Sequence, residues 1–468
     1  MTFRFLTRTL AASVVAFGVS AAAQADTLAD ALVGAYNSSG LLDQNRALLR
    51  AADEDVAQAM AALRPVINWA GDVTRSFGTS RSANTLGTVV GSASNTASIA
   101  LVGELTLYDG GQNRLAIDAA KESVLATRQA LIAIEQQVLL RAVQAFMEVR
   151  RATETVALRQ NNLRLITQEL RAARDRFEVG EVTRTDVALA EARLAAAKSN
   201  LAAAQGTLRS AQEEYRVAAG RRPGPLTPPS RVPELPRDLD TATAIAVRTH
   251  PELRRAQRLV TVAELSIQRA KAAMKPTVSL TGRLSVTENF DNNSFSRGGS
   301  VGIEAGGPIY QGGRLSSLVR QAMSNRDAQR SNLHVVRLGI EQNVANALVQ
   351  LNVARASQAA GDDQVRAAQV AFRGVREEAT LGARTTLDVL NAEQELLDAR
   401  AALISTTVDE FIAAYTVLAT MGRLTAKDLG LAVQRYDPTE YYNLVKDAPV
   451  LSRQGEKLDR VLRALGKE

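Results

Sequence analysis

The residues best suited to chemistry lie in two similar segments, GEVTRTDV at residues 180–187 and GARTTLDV at residues 382–389. Each segment carries an aspartate, Asp186 or Asp388, three residues after a threonine. A carboxylate at this spacing can accept hydrogen bonds from the threonine, as in the capping box that begins a helix. Arg384 adds a cation that can form two hydrogen bonds with a carboxylate. These side chains offer ion pairing and helix capping rather than catalysis.

The remaining composition excludes most catalytic chemistry. The 468-residue chain has no cysteine, which excludes disulfides, thiolate metal sites and thiol nucleophiles. Its two histidines, His250 and His334, both lie in helical patterns, so neither a Ser/His/Asp set nor a histidine metal site is expected. No GxxxxGK(S/T) phosphate-binding motif occurs. We therefore predict no catalytic residue, no metal and no cofactor.

The formal charge of +7 does not indicate nucleic-acid binding, because the basic residues alternate with acids along the chain instead of clustering. Aromatic residues make up only 4% of the chain, whereas Ala, Leu and Arg are abundant. This profile is typical of long, closely packed helices.

The two charged segments interrupt long helical patterns, which must position them. Gly180 and Gly382 permit the left-handed backbone that ends a helix. Thr183 and Thr385 are suitable N-caps for the helix that follows. Each segment is therefore predicted to be the bend of a helical hairpin.

The two bends belong to an internal duplication with an offset of 202 residues. The same offset, without a gap, pairs Glu191 with Glu393 and the dipeptide at 220–221 with that at 422–423. A unit of this length is a duplicated half-protein and not a short solenoid repeat. Upstream the offset becomes 211, so the first half carries nine extra residues before Tyr108. The offset of 202 also aligns two strand-to-helix turns, which contain Gly110 and Gly111 in the first half and Gly312 and Gly313 in the second.

The N-terminus resembles a secretory signal. Arg4 and Arg8 precede a short apolar core at residues 10–19, and Ala-Gln-Ala at 23–25 fits a cleavage site. We expect no later segment to reach the ~20 apolar residues of a membrane helix.

Four segments, at residues 67–73, 99–107, 278–286 and 301–305, alternate apolar with other, mostly polar or small, residues. Polar loops are predicted at 78–97 and 288–299. Strands of ~10 residues with one apolar face are typical of a membrane β-barrel, although two soluble hairpins with one buried face remain an alternative. Four strands cannot close a barrel, because open edges leave backbone groups unpaired in hydrocarbon. A barrel must therefore be pooled from two or more chains.

The helical pattern that follows the first pair of strands spans ~65 residues and therefore ~97 Å. Its apolar positions recur every seven residues, which indicates coiled-coil packing. The return helix is half as long, and the helix before the strands supplies the other half. The second half of the chain repeats this order. The predicted helices span 28–64 (broken near 37–40), 113–177, 187–219, 240–275, 314–379 and 386–421.

These elements divide the chain into five parts. They are a signal peptide at 1–25, a first repeat half at 26–222, a proline-rich crossover at 223–239, a second half at 240–424 and a C-terminal segment at 425–468. The C-terminal segment is expected to wrap the middle of the helical part.

The sequence resembles the TolC-like outer membrane efflux protein family. The resemblance rests on LYDGG at 107–111, PIYQGGR at 308–314 and LGARTTLDVLNAE at 381–393, together with the duplication. It implies a mixed α/β membrane protein, a homotrimer that pools its strands into a 12-stranded barrel in outer membrane lipid. A periplasmic tunnel of 12 helices continues the barrel. The missing cysteine makes the chain similar to the unlipidated branch, which includes type I secretion ducts.

The resemblance also assigns roles to the bends, which form the periplasmic entrance where an adaptor protein and an inner-membrane transporter dock. Arg384 matches a residue that links to an acid on the other bend, here Asp186, and Asp388 matches an acid at the constriction. Asn391 and Ala379 depart from the family, which can carry an acid and a tyrosine there. The structural alternative is that Asp186 and Asp388 only cap helices. The predicted adaptor-docking residues are Gly180, Glu181, Val182, Gly382 and Ala383.

The function implied is a passive exit duct for small molecules or secreted polypeptides. One alternative is a secreted coiled-coil structural or adhesive protein. A second is a periplasmic adaptor, which should show lipoyl-like β segments between its helix arms.

Overall fold

The computed structural model describes residues 26–81, 88–229, 231–236, 238–292 and 294–446, with residues 457, 460, 461, 463 and 464. The predicted signal peptide and most of residues 447–468 lie outside the described residues. The order is α1 Leu28–Ser38, α2 Gly40–Ala61, β1 Val66–Arg81, β2 Val89–Tyr108, α3 Gln112–Glu178, α4 Arg184–Ala219, α5 Leu239–Thr249, α6 Pro251–Ala272, β3 Thr277–Asn289, β4 Ser294–Gly306, α7 Arg314–Thr380, α8 Thr386–Thr420 and α9 Glu440–Val445.

The two halves repeat this order in the structure, as the duplication predicts. The long helices α3 and α7 contain 67 residues each and begin after Gly111 and Gly313, which both have positive φ. The predicted helix at 240–275 is in fact two helices. His250 ends α5 and caps α6, and Pro251 favours a new start because it has no backbone N–H to donate.

The four strands form one antiparallel sheet in the order β1-β2-β3-β4. Residues that pair directly across neighbouring strands project from the same face. One row across the sheet contains Trp69, Leu101 and Leu284, and the adjacent row on the other face contains Asn68, Val102 and Arg283. The alternation predicted from sequence therefore aligns into one apolar face and one mostly polar face. The apolar face contains Ile67, Trp69, Val73, Ile99, Leu101, Leu105, Leu280, Leu284, Val286, Val301 and Ile303.

The predicted polar loops are wrong in extent. Residues 78–81 and 89–97 continue β1 and β2, residues 294–299 belong to β4, and the described residues between β3 and β4 are a turn at 290–292. The small and polar residues in these stretches suggested loops. They nevertheless pair through their backbones, for example Ser80 with Val90, since ladder hydrogen bonds do not require apolar side chains.

The main core lies in the middle of the molecule, where α1, α4, α5, α8 and the C-terminal segment surround the long helices. Phe146 and Tyr215 are among its largest fully buried side chains. Here the short helices also meet end to end. Gly220, after α4, abuts Ser38 of α1, and Gly422, after α8, abuts His250, so that a side chain at either glycine would overlap its neighbour.

Among the described residues two helices, α3 and α8, each contain an 18-residue stretch that is apolar enough, by length and composition, for a membrane helix. The expectation that no later segment would approach this limit is therefore wrong. Both helices pack against others along their length, since α3 contacts α2, α4, α6 and α8. Their apolar residues serve this helix-to-helix packing.

Candidate functional site at the two helical bends

The first bend joins α3 to α4 through a left-handed glycine and a capping box. Gly180 has a φ of 79°, and the N–H of Glu181 donates to the carbonyl of Arg176 at 2.9 Å. The N–H and hydroxyl of Thr183 donate to Oδ2 of Asp186 at 2.9 and 2.7 Å, and the N–H of Asp186 donates back to Thr183 Oγ1 at 3.3 Å. The predicted capping box is confirmed.

The second bend repeats this geometry. Gly382 also has a φ of 79°, and the N–H of Ala383 donates to the carbonyl of Glu378 at 3.0 Å. Thr385 donates through its N–H and hydroxyl to Oδ2 of Asp388 at 3.0 and 2.8 Å. Hydrogen bonds from the threonine backbone and hydroxyl hold the pKa of Asp388, and likewise of Asp186, below the usual range. Both aspartates are therefore charged at neutral pH and already satisfy a helix end.

Arg384 distinguishes the second bend. Its Nε donates to Oε2 of Glu378 at 2.8 Å, and both side chains are about half exposed. The hydrogen bond and the charge of Glu378 raise the pKa of Arg384. The equivalent residues of the first bend are Val182 and Arg176, which cannot form this pair.

The predicted partner of Arg384, Asp186, instead bonds to Thr183 within its own bend. A single chain therefore does not bring Arg384 and Asp186 together among the described residues. A contact between them requires a second chain, and it remains a prediction.

Asn391 lies one turn beyond the second bend and contacts the other hairpin. Its Oδ1 accepts a hydrogen bond from Nη2 of Arg193 on α4 at 3.2 Å. Further along the same interface, Nδ2 of Asn162 on α3 donates to Oε1 of Glu393 on α8 at 2.9 Å. These hydrogen bonds connect the hairpin α3–α4 to the hairpin α7–α8, and sequence reasoning named Asn391 as a gate position but missed Asn162, Arg193 and Glu393 as contacts.

Glu393 is the most unusual charged residue of this region. It is 4% exposed, and its Oε2 has no hydrogen-bond partner among the described residues. Burial raises the pKa of Glu393 to about 7, although the hydrogen bond from Asn162 opposes this shift. Its counterpart in the first half, Glu191, pairs with Arg174 at 2.6 Å on the exposed surface. This difference could not be predicted from the residue type, because both positions are glutamate.

The predicted strand-to-helix turns lie at the opposite end of the helices. Gly110 and Gly111 have φ values of 68° and 91°. A β-carbon at Gly110 would lie 2.8 Å from Cβ of Lys275. Asp109 accepts hydrogen bonds from the N–H groups of Gly111 and Asn113 at 2.8 and 2.6 Å and so caps α3. In the second half Gln311, at the position of Asp109, binds Arg314 instead, and Gly312 and Gly313 again have positive φ.

Comparison with known proteins agrees with this architecture. The profile of the family described as outer membrane efflux protein matches residues 32–221 and 245–423, which are the two halves. The chain belongs to the outer membrane efflux protein family. It is therefore an outer membrane exit channel that extends into the periplasm, and a secreted structural or adhesive role is not supported.

Relatives within the family support the same conclusion. The chain is 37% identical to the outer membrane efflux protein BepC of Brucella suis, over 95% of this chain and 96% of the relative. It is 25% identical to the outer membrane protein TolC of Escherichia coli, over 88% and 85% of the two chains. It is also 27% identical to the proteases secretion protein PrtF of Dickeya chrysanthemi, over 63% and 66%.

Solved structures show the same fold at lower sequence identity. The CmeC outer membrane channel of Campylobacter jejuni superposes with a TM-score of 0.75 at 17% identity, over 90% of this chain and 89% of CmeC. The outer membrane protein VceC of Vibrio cholerae gives a TM-score of 0.71 at 19% identity, over 84% and 96%.

Proposed function

We propose that three copies of this chain pool their strands into a 12-stranded barrel, and that their helices form one periplasmic tunnel. The sheet supports this proposal, since β1 and β4 are its outer strands and an apolar face runs across all four. An unpaired strand edge costs several kcal/mol per backbone group in hydrocarbon, so each β4 requires a β1 from another chain. The need to pair the strand edges allows a barrel of two or more chains, and the family resemblance favours three.

The tunnel is proposed to end at the two bends, where a periplasmic adaptor docks and connects it to an inner-membrane transporter. The bends lie at the end of the hairpins away from the strands, and residues Gly180, Glu181, Val182, Gly382 and Ala383 are all exposed or half-exposed there. The tunnel is a passive duct for small molecules or secreted polypeptides. Among the relatives, BepC is named an efflux protein and PrtF a proteases secretion protein, which correspond to the two classes of cargo.

Engineered cysteines test the pooled barrel, because the natural chain has none. Asn68→Cys on β1 combined with Ser300→Cys or Ser296→Cys on β4 should form disulfides between chains in the oxidising periplasm. Non-reducing gels of outer membranes should show covalent dimers and trimers and no larger species, and each single variant should remain uncrosslinked. A ladder beyond three chains, or monomers alone, contradicts the trimer.

Photo-crosslinkers test the docking site separately. Placed at the equivalent positions Glu181 and Ala383, they should trap an adaptor in cells that express the whole export system. Crosslinkers in the crossover, for example at Thr227, serve as the control. Crosslinks that form only in the crossover would show that the bends are not the docking site.

A further inference from the structure

A cavity outside the bends, here called the tail cavity, lies in the middle of the molecule. It has a volume of about 660 Å³ and is enclosed by α2, α3, α6 and the C-terminal segment after α8. Its apolar part includes Leu42, Leu125 and Ile132. Neither the strands nor the two bends contribute to it, so the proposed conduit does not account for it.

The lining of the tail cavity is strongly basic. Two acids, Glu135 and Asp428, line it and are already engaged, since Glu135 accepts the N–H of Ala426 at 2.6 Å and Asp428 accepts the hydroxyl of Thr425 at 2.9 Å. A cleft lined by charges of one sign attracts ions and ligands of the opposite sign. The cations that line the cavity are Arg46, Arg128, Arg254, Arg423, Lys427 and Arg435.

Most of these cations have no ionic partner. Arg46 pairs with Asp43 at 3.0 Å, whereas Arg128, Arg423, Lys427 and Arg435 have no carboxylate within 4.0 Å among the described residues. In addition, Nε of Arg46 and Nε of Arg128 are buried without a hydrogen-bond partner in the described part of the chain. A buried donor without a partner costs free energy, but these two Nε atoms are covered, so a ligand in the cavity would bind the other atoms of the cationic side chains.

Aromatic rings lie against the guanidinium groups of Arg46 and Arg128. Arg46 lies between the rings of Tyr36 and Tyr436, with its Cζ 5.2 and 5.5 Å from their centroids. Arg128 lies over the ring of Tyr442 at 5.5 Å. Such cation–π contacts orient an arginine without using its hydrogen bonds. The C-terminal segment therefore fixes donors around the cavity and leaves them available.

A comparison of the two halves shows that an arginine unpaired in the second half is paired at the equivalent position of the first half. Arg423 corresponds to Arg221 of the first half, and Arg221 is neutralised by Asp26 at 2.9 Å. Lys427 and Arg435 belong to the C-terminal segment, which has no counterpart in the first half. The second half and the C-terminal segment have thus produced an unpaired basic site where the first half has an ion pair.

We propose that the tail cavity binds a small ligand that carries two or more carboxylate or phosphate groups beside an apolar portion. Arginine forks bind such oxyanions through paired hydrogen bonds. This inference does not depend on the trimer or on the docking site, so its failure would leave both unaffected.

Binding is tested on the purified full-length channel in neutral detergent, at constant ionic strength. Citrate and pyrophosphate are the probes, and acetate is the monovalent control. Saturable binding of citrate or pyrophosphate by calorimetry, near one per chain, supports the proposal, and the stronger probe identifies the anion as carboxylate or phosphate. Absence of binding by both at millimolar concentration overturns it.

Variants locate the bound probe. The exposed pair Lys427→Gln and Arg435→Gln together should weaken binding about tenfold or more, the change expected when a charge-assisted hydrogen bond is lost. Arg171→Gln, an exposed arginine of α3 outside the cavity, should leave binding unchanged. Equal losses in both variants would mean that the probe binds the basic surface in general, and would overturn the proposal.

The strongest alternative to a ligand-binding role for Arg128 is that it neutralises the charge of Asp53. This aspartate is fully buried, its carboxylate accepts no hydrogen bond among the described residues, and Arg128 lies near it. If Arg128 only neutralises Asp53, then Arg128→Gln would weaken binding through a distorted fold, and adding Asp53→Asn would restore it. On the proposal, the double variant remains weak because the donor is still missing.

Discussion

The two bends have the same backbone and different charges. Both use a glycine with a φ of 79° and a threonine–aspartate capping box, and each hairpin has its own small apolar cluster at equivalent positions. Only the second bend has the pair formed by Arg384 and Glu378, where the first has Val182 and Arg176. Duplication thus preserved what the hairpin needs to fold. The two copies differ in the exposed side chains that do not affect the turn.

A second difference between the halves lies within the helical interface. Glu191 forms an exposed ion pair, whereas its counterpart Glu393 is buried between the hairpins. The carboxylate of Glu393 therefore faces the first half, where Asn162 of α3 donates a hydrogen bond to it.

The largest effects are expected where the halves are equivalent, on the apolar face of the sheet. Leu101→Arg in the first half and Leu284→Arg in the second should each cost about 2–4 kcal/mol near the middle of the bilayer, because a charge is placed in lipid. Assembled channel in outer membranes, measured after mild detergent extraction, should fall in both. Thr281→Arg, on the polar face of β3, is the matched control and should assemble normally. Equal sensitivity of the two faces would contradict the barrel.

An intermediate effect is expected at Glu393. Its pKa of about 7 exceeds the ordinary 4.5, so the folded protein binds the proton more tightly than the unfolded chain. Stability therefore falls as pH rises from about 4.5 through 7, and the ionised form is the costly one. Glu393→Gln should stabilise the channel by about 1–3 kcal/mol at pH 8 and much less at pH 5. Thermal melting at the two pH values measures this.

Glu191→Gln is the control for Glu393, because it changes the equivalent residue in an exposed ion pair of small energetic value. A stabilisation at pH 8 as large as that of Glu393→Gln would show that burial at Glu393 is not the cause.

A smaller effect is expected at the entrance. Arg384→Ser should raise single-channel conductance in planar bilayers several-fold, because an exposed ion pair shifts a two-state equilibrium only modestly. Val182→Ser, the same change at the equivalent position of the first bend, should have no effect. This pair of variants attributes the change to the charge and not to the bend.

Two further variants identify the partner of Arg384. If Arg384 closes the entrance by binding Asp186 of another chain, Asp186→Asn raises conductance, and the double variant adds little. Glu378→Gln then lowers conductance, because it frees Arg384 for that contact. If the pair within the second bend is itself the latch, Glu378→Gln raises conductance instead. If the effects of Arg384→Ser and Asp186→Asn on conductance are strictly additive, the two residues are not partners and Asp186 acts only as a helix cap.

The smallest effect concerns ion preference. Asp388→Asn should lower the preference for cations and weaken block by divalent cations, because it removes negative charge while the amide oxygen can still accept from Thr385. Reversal potentials in a salt gradient measure this. Asp186→Asn should change conductance more than selectivity, and the opposite ranking would exchange the proposed roles of the two aspartates.

The sequence predicted those features that depend on nearby residues or on the repeat. The offset of 202 placed the long helices to within a residue or two, and the capping boxes at Thr183 and Thr385 follow from a spacing of three. The strands β1 and β2 were underestimated because their outer parts, such as residues 89–97, contain small and polar residues. Their pairing depends on a partner strand, which composition does not reveal.

The side-chain contacts of the site could not be predicted in the same way. The hydrogen bond between Asn162 and Glu393 joins positions 231 residues apart, and it depends on how α3 packs on α8. Within one chain Arg384 binds Glu378, six residues earlier, since a helix end brings these two together, and its predicted contact with Asp186 of another chain stays a prediction. The tail cavity depends on where the C-terminal segment lies, and no repeat fixes that position.

The end-to-end meeting of the short helices at Gly422 and His250 has a mechanical consequence. The helix α8 spans 35 residues, or about 52 Å, and because no peptide bond joins it to α6, a tilt of α8 at this junction would not pull α6 along. A tilt of about 10° there would displace the second bend by about 9 Å. The strands and α6 could stay where they are. A channel with a fixed pore in the membrane can in this way have an entrance of variable width.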